Sequence, residues 1–595
     1  MINYVGIPNG LGSFLTPTKI YQCRFSLRGK LRVSVSPRLE AIDSVVQKVA
    51  NHKDCWATLP MTERIAILIE IERDMQAVAD RWVLTSTRAK GLSPRSFGEG
   101  EEWLAVATMY RQVRLLRQSL MDIHRRGCPQ VLGPIATRSD GQVVARVFPQ
   151  TLIDRLMLPG VSGDVWLESG VTQTDLMRDQ ASFYQQQNRQ GKVVLVLGAG
   201  NNSSLIPGDF LYKLFVEGYV VVLKPNPVND YLGPLIEQGF RALIKRGFLA
   251  LVHGGAEVGD QLCHHPAIDA IHMTGSRKTY ESIVFGEGQA ADDRKSQGSP
   301  RLHKPITAEL GNISPLIIVP GPWRAADINI QARRIASWFV FNSAFGCLTP
   351  RVLIQWHGWD KRVALTQAIG RVLAQTPTRR AYYPGATDLY ETFLAVHPEA
   401  QPYGNAPEGH LPWTIIPDVD PDNRQDICFR QEPFCSLMAE TAIEANSIEQ
   451  FVDRAVEFAN ETLWGTLIAT LVVHPVSMRD PTIAAAVERA VDKLRYGSVV
   501  VNQAPGFAYF LMATPWGGYP GHDSSDIQSG CGIVNNVLML PHPHKAVVRG
   551  NFNPWPDPFV VTFQHGYSFF KKFAEVQASP SLVKLPSLLA TTLRG

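Results

Sequence analysis

The stretch 193–228 reads VVLVLGAGNNSSLIPGDFLYKLFVEGYVVVLKPNPV, and its reading decides the fold class. VVLVL (193–197) is an unbroken apolar run of strand length, as expected of a strand buried on both faces. GAGNNS (198–203) then supplies a glycine- and asparagine-rich turn. A helix is expected from about Pro207 to Gly218, and YVVVLK (219–224) is a second buried strand. The alternation continues through LGPLIEQGFRALIKRG, FLALVHG and AIDAIHMTGS. Strands alternating with helices give a parallel sheet covered by helices on both faces, and such sheets bind ligands at the carboxyl ends of their strands.

Upstream, the pattern is helical from Glu40 to about His124, including MTERIAILIEIERDMQAVADRWVLTSTRAK and EGEEWLAVATMYRQVRLLRQSLMDIH. Short strand-like runs, QVVARVFP and DVWLESG, lie between the helices and the alternating region. Downstream, a second α/β segment opens at ITAELGNISPLIIV (306–319) and runs to about Asn502. The end of the chain is rich in prolines and aromatics and reads as an extension packed on the body. The expected organisation is an extension over 1–38, a cofactor-binding domain with N-terminal helices over 39–305, and a second α/β domain over 306–502. A segment over 503–595 then returns to the first domain.

At 595 residues the chain exceeds one ordinary core. Its 45% hydrophobic and 19% charged residues are globular composition. A formal net charge of +4 offers no basic stripe of the kind nucleic acids require, so no nucleic-acid partner is expected. No apolar run reaches the roughly 18 residues of a membrane span. The eight cysteines (Cys23, Cys55, Cys128, Cys263, Cys347, Cys428, Cys435, Cys531) form no CxxC pair, which points to free thiols in a reducing compartment. His253, Cys263, His264 and His265 match no zinc spacing, so no metal site is expected, and His542 and His544 read as loop residues. Before Leu39 there is no acidic residue, while Arg24, Arg28, Lys30, Arg32 and Arg38 stand among serines. That is transit-peptide composition. The expected location is cytoplasmic, with a plastid or other organelle as the alternative.

GAGNNS alone is weak evidence for nucleotide binding, because the usual dinucleotide fingerprint wants an acidic residue at the end of the next strand. Lys224 stands there instead, in VVLKPNPV. A lysine at that position can reach an adenosine ribose or its 2′-phosphate. Further motifs follow in order: MTGS (273–276), ELGNISP (309–315), NSAFGCLTPR (342–351), QEPFCS (431–436) and PWGG (515–518). With these motifs the chain resembles the aldehyde dehydrogenase superfamily, from about Leu39 to Asn536.

The resemblance implies an α/β fold with a Rossmann-type cofactor domain, an α/β catalytic domain and a small oligomerisation region. It makes Cys347 the nucleophile, Glu309 the general base and Asn201 an oxyanion donor. It assigns Lys224, Gly275, Ser276, Leu310 and Glu432 to an NAD(P)(H) site. A homo-oligomer, dimer or tetramer, is implied as well. The chemistry is consistent: a thiolate attacks the carbonyl, and a cysteine on a turn near polar groups is expected to have a lowered pKa. The Asn201 amide and the Cys347 backbone N–H would then hold the alkoxide. Collapse to a thioester passes hydride to the nicotinamide, and Glu309 activates water for hydrolysis.

Three departures stand out. Pro227 occupies the place of a ribose-gripping glutamate, so NADP is at least as compatible as NAD. Asn312 and Tyr280 replace family glycines, changes expected to reshape the pyrophosphate site or bring Arg277 and Lys278 to it. CLTP (347–350) resembles the cysteine loop of acyl-CoA and fatty acyl reductases. The leading expectation is oxidation of an aldehyde to an acid. The alternatives are reduction of an acyl thioester to an aldehyde, and a non-catalytic relative.

Overall fold

The computed structural model describes residues 36–594. The transit-like composition and Cys23 lie outside the described residues. Ser44–Gly595 coheres as one body, preceded among the described residues by the start of the helix Ser36–Ala50.

VVLVL and VVVLK form adjacent parallel strands, Val193–Leu197 and Val220–Lys224, all but one of whose residues are buried, as their unbroken apolar composition requires. They sit in a six-stranded sheet. Leu249–Leu251 flanks the second strand, while Ala270–Thr274 and Ile306–Glu309 extend the other side. The chain runs outward from the first strand and then returns to pair Ala270–Thr274 against its open edge. A crevice therefore opens at the carboxyl ends of these two neighbours, where the strand order reverses. Strand Ile306–Glu309, expected to begin the second domain, belongs to this first sheet. Its carboxyl end delivers Glu309 beside Thr274.

The second sheet has eleven strands. Seven run parallel, from Pro543–Arg549 through Ser498–Val501, Ile468–Val473, Ser314–Val319, Pro350–Trp356 and Leu437–Ile443 to Trp413–Ile416. The expected strands in QVVARVFP and DVWLESG appear as Val143–Phe148 and Ser162–Leu167, and they pair antiparallel at one edge. Pro543–Arg549 contains His544, which is thus a strand residue whose Nε2 lies 2.6 Å from the Tyr519 hydroxyl, not a loop residue. Only Gly530–Cys531 of the C-terminal segment joins the first sheet; Pro543–Arg549 pairs in the second. The expected return of 503–595 to the cofactor domain is thus one short strand in the sheet, together with the helix Gly566–Ala578 against the N-terminal helices.

Two long helices, Met61–Ala89 and Phe97–Arg126, carry the amphipathic pattern of the N-terminal region. The second starts where the Ser96 side chain accepts a hydrogen bond from the Glu99 amide. It stops at Gly127, whose φ of 89° is the left-handed cap, with His124, Arg125 and Arg126 in its last turn. A C-terminal helix, Gly566–Ala578, packs along it through Phe569, Phe570 and Phe573. No helix among the described residues is long and apolar enough to cross a membrane.

Candidate active site

Two clefts converge on the Cys347 thiol. One, of about 1410 Å³, opens at the carboxyl ends of the first sheet; it is lined by Asn201, Gly275, Ser276, Glu309, Leu310, Cys347 and Glu432. The other, of about 1050 Å³, is largely apolar and shares Asn201, Leu205 and Cys347 with the first. Seven of the eight site residues read from the sequence thus line one cleft. Lys224 does not. Its side chain is buried, with its methylenes packed beside Gly259 of the helix Ala256–His264. Burial lowers its pKa, and Asp230 partly opposes that.

The cysteine loop takes an unusual path. Asn342, Ser343 and Ala344 have φ of 50°, 59° and 63°, three consecutive non-glycine residues in the left-handed region. Each such residue costs on the order of 1–3 kcal/mol, so neighbouring groups must hold the path. Lys90 Nζ donates to Asn342 Oδ1 at 2.8 Å and pairs with Glu102 at 2.6 Å. The Asn342 amide N–H donates to Glu101, itself gripped by both terminal nitrogens of Arg379. Arg351, fully buried, donates to the carbonyls of Ala344, Cys435 and Leu437. Ser314 Oγ donates to the Cys347 carbonyl and in turn accepts from Asn312 Nδ2.

Asn201 is tied to the same loop. Its Nδ2 donates to the Phe345 carbonyl at 3.1 Å, while its own carbonyl accepts from Asn342 Nδ2 and the Tyr382 hydroxyl. One side-chain amide hydrogen is so engaged, which leaves the other uncommitted among the described residues.

Glu309 is 3% exposed, within hydrogen-bonding reach of the thiol, and its Oε2 has no partner among the described residues. Burial pushes its carboxyl up to about 7; Cys347 and Trp516 pull the other way, and Asp209 and Glu432 add like-charge repulsion. The Cys347 thiol is pushed well above its ordinary value of 9, first by removal from water and then by the neighbouring Glu309 carboxylate. This reverses the lowered pKa expected from the sequence. The causes are burial first and then the Glu309 carboxylate that faces the thiol. Both causes favour the protonated thiol.

A nicotinamide dinucleotide fits the first cleft on three observations. Glu432 Oε1 is buried without a partner among the described residues, and a Cβ at Gly311 would lie 2.0 Å from the other Glu432 oxygen, so the glycine leaves the carboxylate its place. The helix Arg277–Phe285 begins at Ser276 in the cleft wall, offering N-terminal amides to an anion. Arg277 and Lys278 line the cleft too. Asn312 and Tyr280 do not reshape it directly. Asn312 is buried as a strap, donating to Ser314 Oγ and the Ile468 carbonyl, and the Tyr280 ring is buried beneath its helix.

Residues 174–382 match the sequence profile of the Aldehyde dehydrogenase family. A protein of Staphylococcus saprophyticus that bears an aldehyde dehydrogenase name is 30% identical over 424 residues, covering 65% of this chain and 82% of its own. The chain belongs to the aldehyde dehydrogenase family. It is an aldehyde dehydrogenase-type oxidoreductase. Solved relatives share the fold at low identity. The aldehyde dehydrogenase KauB of Pseudomonas aeruginosa aligns with a TM-score of 0.58 at 17% identity, over 86% of this chain and 90% of its own. Aldehyde dehydrogenase C of Pseudomonas syringae, solved with NAD+ and octanal, aligns at 0.57 and 15%, over 87% and 90%.

Several participants escaped the sequence reading. Trp516 stands in PWGG, a motif legible in sequence without a role; its indole N–H, otherwise unpartnered, lies beside Glu309. The Tyr509 hydroxyl is buried without a partner next to the same cluster. The signal for Lys90, Glu101 and Glu102 was faint: one charged residue at the end of a helix and two near the start of the next, which more often face solvent.

Proposed function

We propose that this aldehyde dehydrogenase oxidises an aldehyde to a carboxylic acid with NAD(P)+ through a thioester on Cys347. The observation that carries the reading is the meeting of a large cleft holding Arg277, Lys278 and Glu432 and a more apolar cleft at a thiol flanked by Glu309.

Glu309 takes the thiol proton as the Cys347 sulfur bonds to the aldehyde carbon. The carbonyl oxygen becomes an alkoxide, and the Asn201 amide and the Cys347 backbone N–H are placed to donate to it. When bound, the nicotinamide accepts the hydride that leaves this carbon, and a thioester remains on Cys347. Glu309 passes that proton to bulk water and then draws another from the hydrolytic water, whose oxygen adds to the thioester; as the acid is released, Glu309 returns the proton to the departing Cys347 sulfur. A carboxyl poised near 7 suits these proton transfers at neutral pH. Gly275, Ser276, Leu310 and Glu432 hold the cofactor, with Lys224 at the adenosine end. No carboxylate occupies 227, and the nearby Asp230 is engaged by His253 at 2.5 Å, so a 2′-phosphate is tolerated and NADP serves as readily as NAD.

The test is turnover of purified protein on aldehydes with each nicotinamide, and on acyl-CoAs with the reduced forms. Aldehyde-dependent NAD(P)H formation, lost in Cys347→Ala and independent of CoA, is the expected result. Turnover that requires CoA, or that consumes acyl-CoA and NAD(P)H, would replace this reading with the reductive one.

A further inference from the structure

The wall of the apolar cleft is completed by the end of the chain. Phe559 and Phe570 line it together with Phe97, Phe507, Phe510 and Trp338. Phe559 meets Phe507 at 5.1 Å and Phe570 at 5.6 Å between ring centroids, and Phe570 meets Phe97 at 5.4 Å. The segment is built in, not laid on. Arg334, buried at 1% exposure, donates to the Phe552 and Asn502 carbonyls and pairs with Asp557 at 3.3 Å. Gln331 Nε2 donates to the Phe552 carbonyl at 2.6 Å, and the Val561 amide donates to Ser337 Oγ at 2.7 Å. Ser337 itself lines the cleft. No charged side chain does, among the described residues.

We propose that residues 552–578 are the specificity element of this enzyme, closing an aromatic tunnel around Cys347 that takes aldehydes with long, uncharged apolar chains and rejects those bearing a charge. This inference rests on the aldehyde-oxidation reading and names its substrate class. The physical basis is twofold. A methylene transferred from water into aromatic surroundings is favourable wherever the tunnel continues, so each one gained raises affinity. A carboxylate or ammonium in the same tunnel would lose its water and find no counter-charge.

The experiment pairs turnover with binding. Native enzyme is assayed with propanal, hexanal, decanal and the ω-carboxy counterpart of decanal. Cys347→Ala protein is titrated with the same aldehydes by calorimetry, which reads recognition without chemistry. The expected kcat/KM rises by about threefold to fourfold per methylene, and the ω-carboxy aldehyde falls at least about a hundredfold below decanal. Phe559→Ala, at a half-buried site, flattens the chain-length dependence between hexanal and decanal. Phe559→Arg supplies the missing cation and raises kcat/KM for the ω-carboxy aldehyde, a gain that misfolding cannot mimic. Decanal binding to Cys347→Ala without turnover by native enzyme would sink the oxidation reading while sustaining the tunnel assignment. Equal binding of decanal and its ω-carboxy counterpart, or a Phe559→Ala profile superimposable on the native one, would overturn the assignment.

Discussion

Replacing Glu309 by glutamine removes a charge from the most desolvated carboxyl of the site while keeping its shape, and it should separate catalysis from stability. Burial moves this carboxyl from an ordinary 4.5 up to about 7. The neutral form is therefore favoured in the folded state, and the stability it contributes is fully present below pH 4.5 and lost as pH rises through about 7. At about 1.4 kcal/mol per tenfold change in proton affinity, the ionised side chain costs the fold about 3 kcal/mol at pH 8. Glutamine, always neutral, escapes that cost. For a chain of this size, about 3 kcal/mol corresponds to a melting temperature higher by about 2–3 °C. Thermal-shift curves of native and Glu309→Gln protein at pH 5 and pH 8 should thus coincide at the lower pH and separate at the higher, the variant melting later. Turnover should behave oppositely. Native kcat should rise tenfold per pH unit below a midpoint near 7, and the variant should lose that limb along with roughly a hundredfold to ten-thousandfold in rate. A variant no more stable than native at pH 8, or one retaining the native pH limb, would refute the placement of a buried, uphill-ionising base at this position.

Asn201→Ala should lower kcat by roughly a hundredfold to a thousandfold with little change in aldehyde KM, because its second amide hydrogen matters once the alkoxide forms; steady-state kinetics checks it. Lys90→Met leaves Glu102 buried without its cation and frees Asn342, so denaturation should show a loss of about 3–5 kcal/mol, part of which Glu102→Gln restores in the double variant. The thiol of cofactor-free enzyme should alkylate slowly at pH 7.5 compared with exposed Cys55 and accelerate as pH rises, since Cys347 is held well above 9; peptide mapping after iodoacetamide reads both sites. Glu432→Gln should raise the cofactor KM more than it lowers kcat, because its partnerless oxygen faces the cofactor cleft.

The first sheet was legible because its strands are continuous apolar runs separated by helix-length segments, a pattern that admits few topologies. The motifs placed Asn201, Glu309 and Cys347 because each stands at a strand end or turn whose neighbours in sequence are also its neighbours in space. What stayed hidden depends on contacts between distant segments. Ile306–Glu309 looks like the opening of a new domain until its pairing with Ala270–Thr274 is seen. His544 sits in a proline-rich run that reads as loop, yet Pro543–Arg549 is held as a strand by partners at 162–167 and 498–501. The elevated thiol pKa comes first from burial and then from a carboxylate 38 positions away along the chain, neither of which a local pattern announces. The Lys90–Glu102–Asn342 network likewise joins a helix pair to the cysteine loop across 252 residues.

The most direct test of a Cys347 thioester is to trap it. Native enzyme mixed with decanal and NAD(P)+, quenched in acid within the first turnover and digested, should yield the peptide carrying Cys347 heavier by the acyl group, alongside up to one equivalent of NAD(P)H formed in a burst. NAD(P)H formation by Cys347→Ala at the native rate, or acylation of any residue other than Cys347, would contradict it.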